Sequence, residues 1–145
     1  MRESIAALAV IRRLVNGQSQ WLAQWNPAWQ RYSFVGGHKL PDESFRECVV
    51  REIGEELGLN EPADVRVADH SLAWCRFESW SESAGAITQY EITLFEAEPA
   101  GDAAWRTISA NAANRWLTAA EIRALRTTDD LPVSETLGHL LSKLE

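Results

Sequence analysis

The sequence contains only two cysteines, Cys48 and Cys75, among its 145 residues. Their positions fit neither the short spacings of a zinc site nor the repeated spacings of a disulfide framework, so we expect both thiols to stay reduced. Long hydrophobic runs are missing as well. The apolar stretch 5–11 is too short to span a membrane, and Arg12 and Arg13 follow it, whereas a signal peptide begins with its positive charges. We therefore expect a cytoplasmic protein that does not enter a membrane.

Positive charge is also scarce. The chain has 14 lysines and arginines against 21 aspartates and glutamates, which gives a formal net charge of -7. Proteins that hold nucleic acid without sequence specificity need lysine and arginine to neutralise the phosphates. We therefore expect no nucleic-acid partner, and we expect any phosphate chemistry to depend on a bound cation.

The length is that of one domain with a single core, and no repeat, low-complexity tract or linker divides it. We predict one domain over residues 1–145. Asn16-Gly17 between two apolar runs predicts an antiparallel hairpin. Residues 33–35 are expected to form a short strand that leads into the turn-permissive pair Gly36-Gly37.

The second half of the chain is predicted to hold further strands and two helices. Residues 72–80 carry apolar side chains in both phases of a period-2 pattern, which predicts a strand that is bulged or covered on both faces. Residues 90–94 alternate regularly, and the polar stretch 81–85 between the two runs predicts a second hairpin. A strand over 115–117 leads into a capping box at 118–121 and a helix that ends near Arg126, and a last helix is predicted over 134–144.

Three glutamates stand out at the end of a further predicted helix. Glu52, Glu55 and Glu56 are three and four residues apart, so a helix brings their side chains to one face. Carboxylates so close together repel one another unless a cation lies among them. Ligation by oxygen alone suits Mg²⁺ or Mn²⁺, which share their coordination with substrate phosphates. The spacing therefore predicts a divalent metal site.

The flanking residues define this helix, which we predict over 44–57. Ser44 and Glu47 form a capping box at its start, and Gly58 is placed to end it in the left-handed conformation. Its apolar stripe repeats every four residues and consists of Phe45, Val49, Ile53 and Leu57. With this helix the chain has three, and strands before, between and after them predict an α/β fold with a mixed sheet and helices on both faces.

Residues 37–59 match the pattern G-x5-E-x7-R-E-U-x-E-E-x-G-U, in which U is aliphatic. The matching positions are Gly37, Glu43, Arg51, Glu52, Ile53, Glu55, Glu56, Gly58 and Leu59. This stretch resembles the signature of the Nudix hydrolases. The resemblance implies an α/β/α sandwich and a metal-dependent attack of water on a nucleoside diphosphate linked to some group X, such as a nucleoside triphosphate or a nucleotide sugar.

The resemblance also implies roles for individual residues. The metal ligands are expected to be the Gly36 carbonyl and the side chains of Glu52, Glu55 and Glu56. Arg51 and Glu43 are expected to orient these glutamates.

The general base is open between two alternatives. We favour Glu52, because many relatives carry an acid shortly before the pair that stands here as Arg115-Trp116, whereas this sequence has Asn111 and Asn114. An acid outside the signature is the alternative. Four residues are candidates for it, and each is also readily explained as a solvated strand or loop residue: Glu91, Glu96, Glu98 and Asp102.

Substrate contacts are expected from residues next to the glycine pair, namely Trp29, Tyr32, Gly37 and His38. Aromatic rings stack on nucleobases, although large aromatics also dominate protein cores. A small-molecule nucleoside diphosphate derivative is the expected partner, and a homodimer is left open. The alternative function is a non-catalytic sensor of this fold that binds a nucleotide or nucleotide sugar.

Overall fold

A computed structural model describes residues 2–81 and 84–145. The elements of the first half are β1 (Arg2–Val10), β2 (Arg12–Val15), β3 (Gln18–Asn26), β4 (Arg31–Ser33), β5 (Gly36–His38) and α1 (Phe45–Leu57). Those of the second half are β6 (Val65–Val67), β7 (Ala73–Ser81), β8 (Ala86–Pro99), α2 (Asp102–Ala110), β9 (Asn114–Thr118), α3 (Ala119–Ala124) and α4 (Glu135–Leu144). None of the helices in these described ranges is long and apolar enough to cross a membrane.

The strands form two sheets. The central sheet has the order β5-β1-β8-β6, and β7 also pairs with β8. β1 and β8 are parallel along the whole of β1, and the other pairs of this sheet are antiparallel, so the predicted mixed sheet is confirmed. The smaller sheet is antiparallel and has the order β2-β3-β4, with β9 paired to β3.

The core lies on both faces of β1. Ala7 and Ala9 pack with α1 and α2, whereas Leu8 and Val10 pack with α3 and α4 on the other side. A strand covered on both faces is apolar throughout, which explains the unbroken apolar run 5–11. The chain passes from the central sheet to the smaller one at Ile11, which is buried. The expected α/β/α arrangement is therefore confirmed.

The local signals at turns and helix ends are confirmed. Asn16 and Gly17 both have positive φ, at 51° and 77°, as a tight hairpin turn between β2 and β3 requires. The capping box at Ser44 is present, Gly58 ends α1 with φ 69°, and a second capping box at Thr118 begins α3. The pairing of β7 with β8 confirms the second hairpin, although residues 82–83 of its connection lie outside the described residues.

The strand predicted over residues 33–35 is wrong. Two short strands, β4 and β5, lie on either side of Phe34 and Val35. The reason is that β4 pairs with β3 in the smaller sheet and β5 pairs with β1 in the central sheet, so the chain changes sheets between them. Phe34 and Val35 are buried in the two different halves of the core.

The strand predicted over residues 72–80 is confirmed as β7, but the expected bulge or cover on both faces is wrong. β7 pairs regularly with β8 without a bulge, and only one of its faces is covered. Cys75 and Phe77 face the core, where the Phe77 ring stacks on His139 of α4 at 4.3 Å between centroids. Trp74 and Trp80 point outward and are 50% and 53% exposed.

Two elements were not predicted. α2 has Gly101 at its N-cap and no side-chain capping bond, so the polar signal that marks α1 and α3 is missing there. The described part of the chain therefore has four helices rather than three. β6 has only three residues, too few to show a period-2 pattern.

Gly36 provides a test of how closely β5 and β1 approach. It has φ 145°, and a Cβ at this position would collide with the Ala7 carbonyl oxygen and lie 2.7 Å from the Leu8 Cα. Gly36→Ala should therefore lower the free energy of unfolding in urea by at least about 2 kcal/mol more than Gly17→Ala. Gly17 is a matched control because it also has positive φ but has open space around its Cβ direction. Equal effects of the two substitutions would contradict this packing.

Candidate active site

A cleft of about 430 Å³ opens between the two sheets beside α1. Its lining comes from β1, β3, β4, β5, β8, α1, α4 and the loops on either side of β4. This cleft brings together six of the residues that the sequence singled out, namely Trp29, Gly36, Gly37, His38, Glu52 and Glu56. It also contains Trp25 and Phe34, two further aromatics that precede the glycine pair, and residues that sequence reasoning missed, among them Gln24, Tyr90 and Ile92.

Two carboxylates of α1 lie against the glycine pair. The Gly36 N–H donates to Glu56 Oε1 at 3.3 Å. A Cβ on Gly37 would lie 2.6 Å from Glu52 Oε1, so only glycine lets this carboxylate approach the β5 backbone so closely. Val35 and Lys39, at either end of β5, form backbone hydrogen bonds with β1. Because alternate residues of an antiparallel strand direct their N–H and C=O groups to opposite sides, those of Gly36 point away from β1, toward Glu56.

Glu52 and Glu56 form a partly buried pair. Burial raises the pKa of Glu56 to about 8, and a hydrogen bond and the negative charge of Glu52 act in the same direction. Two acids held together in a sheltered position are electrostatically unfavourable by themselves. A cation between them would remove this repulsion.

Arg51 binds three carboxylates, including that of Glu52. Its guanidinium contacts Glu43 at 2.8 Å, Glu52 at 3.0 Å and Glu55 at 3.4 Å, and it donates to the His38 carbonyl at 3.2 Å. The hydrogen bond from Arg51 is the main reason why the pKa of Glu43 falls to about 2. Arg51 therefore fixes the orientation of Glu52 relative to β5.

The expected three-glutamate metal cluster is not assembled. Across residues 2–81 and 84–145, no group of three or more His, Cys, Asp or Glu side chains is arranged to hold a metal ion. Glu55 points toward solvent instead, since its side chain is 60% exposed and forms an ion pair with Arg51. The oxygen donors of Glu52 and Glu56 nevertheless suit a hard divalent cation, and their mutual repulsion favours one.

The candidate acids outside the signature lie away from the cleft. Glu91 accepts a hydrogen bond from Trp74 Nε1 at 3.0 Å on the outer face of the central sheet. Glu96 and Glu98 are exposed on β8 beside a different groove, and Asp102 is exposed at the start of α2. None of these four acids is among the cleft residues that the structure describes.

The two asparagines before Arg115-Trp116 are structural in this arrangement. Asn111 ends α2, and its Oδ1 accepts a bond from the Ala113 N–H at 3.0 Å. Gln24 Nε2 donates two hydrogen bonds, one to Asn114 Oδ1 at 2.9 Å and one to the backbone carbonyl of Glu56 at 3.0 Å. Gln24 and Asn114 thus attach the last turn of α1 to the smaller sheet. No signal in the sequence indicated this link, because it joins residues far apart in the chain.

The aromatic residues divide between cleft and core. Trp25, Trp29, Phe34 and Tyr90 line the cleft. Tyr32, which was expected to contact substrate, is 8% exposed and lies edge-on to Trp25 with 5.1 Å between ring centroids, so it supports the cleft wall from behind. His38 lines the cleft, and its Nδ1 lies 3.3 Å from Ser4 Oγ.

Residues 4–137 match the family model of the NUDIX domain, and the chain belongs to the Nudix family. No curated protein matches the sequence. Solved structures are similar in fold. The NrtR protein of Shewanella oneidensis, solved with a 27mer DNA, is 17% identical with a TM-score of 0.65 over 96% of this chain and 59% of that chain.

Two further structures cover most of both chains. The Ap4A hydrolase of C. elegans is 19% identical with a TM-score of 0.64, over 99% of this chain and 96% of that chain. The NUDIX domain of Shewanella oneidensis NrtR, complexed with ADP ribose, is 16% identical with a TM-score of 0.64, over 99% of this chain and 87% of that chain. At these identities the likeness shows a shared fold.

The Glu52–Glu56 pair predicts a pH-dependent stability of the metal-free protein. A carboxyl whose pKa is higher in the folded state stabilises the fold below its unfolded pKa and loses that contribution as pH rises through the folded value, here about 8. Wild type should therefore lose stability relative to Glu56→Gln between about pH 5 and the folded pKa. Urea unfolding in EDTA at several pH values measures this difference.

Glu55→Gln is the matched control, because the Glu55 side chain is 60% exposed and its charge is screened by solvent. Its effect should be smaller and should not grow over the same pH range. A Glu56→Gln effect that is constant with pH would contradict the sheltered position of this carboxyl.

Proposed function

We propose that this chain is a divalent-metal-dependent hydrolase that cleaves a diphosphate linkage in a nucleoside diphosphate derivative, such as a nucleoside triphosphate or a nucleotide sugar. The observation that carries the proposal is the Glu52–Glu56 pair in the wall of a cleft rich in aromatic rings. A phosphate chain in that cleft would meet carboxylate oxygens of the same sign, so its binding requires cations between them. Membership of the Nudix family supports the same reaction.

Mg²⁺ or Mn²⁺ would be held by the side chains of Glu52, Glu55 and Glu56 with the Gly36 carbonyl. When bound, such an ion neutralises phosphate oxygens and lowers the pKa of a coordinated water. Glu55 would have to leave its 3.4 Å contact with Arg51 to complete the set. The free-energy cost of breaking this contact is small, because an ion pair at an exposed position contributes little to stability.

Glu52 would act as the general base and accept a proton from the attacking water. Arg51 holds this carboxylate at 3.0 Å, and Glu43 holds Arg51 in turn at 2.8 Å, so the orientation of Glu52 is fixed by a chain of two ion pairs. The absence of any described acid at the cleft other than Glu52 and Glu56 supports this choice.

The aromatic part of the cleft would hold the nucleoside. Trp25, Trp29, Phe34 and Tyr90 offer ring faces and edges within the same space as the carboxylates. Stacking on such rings contributes about 1–3 kcal/mol per base in proteins that bind single-stranded nucleic acid. We propose that the base and sugar occupy this part while the diphosphate lies against β5, with His38 and Gly37 beside it.

A sensor without catalysis is the second candidate. A structure similar to this one contains ADP ribose, and another contains DNA. The DNA-bound chain is much longer than this one, and the net charge of -7 here does not favour DNA. A carboxylate pair beside the phosphate position would weaken anion binding unless it holds a cation, which favours the hydrolase.

Turnover should depend on a divalent metal. A screen with Mg²⁺ or Mn²⁺ should cover nucleoside triphosphates, nucleotide sugars, dinucleoside polyphosphates and ADP-ribose. At least one class should be hydrolysed at a diphosphate linkage into two products that each carry phosphate, or a nucleotide and pyrophosphate. EDTA should abolish the reaction, and excess divalent metal should restore it. Turnover that persists in chelator contradicts the mechanism, and tight binding without turnover supports the sensor.

Amide substitutions separate the two alternatives for the base. Glu52→Gln should lower kcat by at least about a hundredfold, because the amide can neither accept a proton nor replace a carboxylate as a metal ligand. Amide substitutions at Glu91, Glu96, Glu98 and Asp102, made singly, should leave the rate within about tenfold, because these residues lie outside the cleft. Loss of activity with unchanged substrate affinity in one of these four would assign the base to that residue instead.

A further inference from the structure

β7 forms an edge of the central sheet. In the part of the chain that the structure describes, residues 74–80 pair with β8 and with no other strand. Half of the amide and carbonyl groups of an edge strand point away from its neighbour and form a template for another strand. Monomeric proteins protect such edges with charged side chains, above all lysine, with proline, or with a bulge. The nine-residue sequence of β7, AWCRFESWS, contains no lysine or proline, its two charges are of opposite sign, and its pairing with β8 is uninterrupted.

The outer face at this edge carries large exposed apolar side chains beside the two charges Arg76 and Glu78. Trp74, Trp80 and Ile87 are 50%, 53% and 57% exposed. The Arg76 guanidinium lies over the Trp74 ring at 5.8 Å from its centroid, and Trp74 remains half exposed despite this contact. A long edge without bulges that carries two half-exposed tryptophans is what a free monomer avoids.

The sequence of β7 is complementary to itself in the reverse direction. When two copies are aligned antiparallel about Phe77, Trp74 stands opposite Trp80, and Arg76 stands opposite Glu78. Two-fold symmetry makes each of these pairs occur twice. Aromatic pairs and opposite charges are the cross-strand pairs that stabilise antiparallel sheets. The complementarity identifies the partner as a second copy of this chain.

The charges also select this register. Moving the centre of pairing by one residue, to Arg76 or to Glu78, would place two like charges directly opposite each other on the axis. Like charges in that position destabilise a sheet. The alignment about Phe77 is the one that pairs every charge of the strand with its opposite.

We propose that the protein forms a homodimer in which β7 pairs antiparallel with β7 of a second copy, centred on Phe77, so that the two central sheets become one. The proposal is independent of the proposed catalytic function, because no described β7 residue lines the cleft. It also accounts for the outward tryptophans, which would pack against each other across the junction.

Charge reversal tests the proposal. Sedimentation velocity at concentrations on the order of 100 µM should show a wild-type dimer. Arg76→Glu and Glu78→Arg should each weaken association by at least about tenfold, because both symmetric pairs become repulsive. An equimolar mixture of the two variants should dimerise again, since each copy then meets opposite charges on the other. Arg12→Glu is the matched control, because Arg12 lies on β2, an exposed edge of the smaller sheet.

The proposal is overturned if the wild-type protein stays monomeric, or if it forms a dimer whose affinity is unchanged by both Arg76→Glu and Glu78→Arg. Circular dichroism of each variant checks the fold, and rescue in the mixture cannot arise from misfolded chains. A mixture that remains monomeric although both variants are folded would also overturn it.

The register has its own test through Cys75, which would stand opposite Ser79 of the second copy. Ser79→Cys should form a covalent dimer under mild oxidation, seen on a non-reducing gel, because directly opposed positions suit a disulfide. Positions 75 and 79 of one strand are about 13 Å apart, too far to bridge within a chain. The control combines Cys75→Ser with Ser79→Cys and should not cross-link, and equal cross-linking of the control would show that the register is wrong.

Discussion

The contact of two α1 carboxylates with the backbone of Gly36 and Gly37 constrains the rest of the site. The Gly36 N–H binds Glu56, and the absence of a side chain at Gly37 lets Glu52 approach β5. This contact concentrates negative charge at the rim of the core, where it is only partly screened. Arg51 offsets part of that charge from the outer side, and the remaining repulsion is what a divalent cation would relieve.

The cleft follows from two places where the chain changes sheets. Ile11 joins β1 to β2, and the pair Phe34 and Val35 joins β4 to β5, so the two sheets are connected at these points and separate between them. The link from Gln24 to Asn114 and to the Glu56 carbonyl then fixes the end of α1 relative to the smaller sheet. Carboxylates and aromatic rings thereby line one space, which suits a ligand that is both charged and aromatic.

Features with local causes could be predicted from the sequence, and features with distant causes could not. The turn at Asn16-Gly17 and the capping box at Ser44 depend on residues a few positions apart, and both are confirmed. α2 was missed because it begins at Gly101 without a side-chain cap. The spacing of the glutamates placed them on one face of α1, but it did not reveal that Arg51 draws Glu55 outward. That choice depends on where Glu43 and the His38 carbonyl lie in three dimensions.

The central claim is that the Glu52–Glu56 pair holds a divalent cation against β5. Anomalous diffraction from crystals soaked in Mn²⁺ with a non-hydrolysable nucleotide tests it most directly, because it locates the ion without reference to turnover. We predict a peak within about 2–2.5 Å of carboxylate oxygens of both glutamates and of the Gly36 carbonyl. The absence of a peak there at saturating Mn²⁺, or a peak only at other acids, would contradict the account.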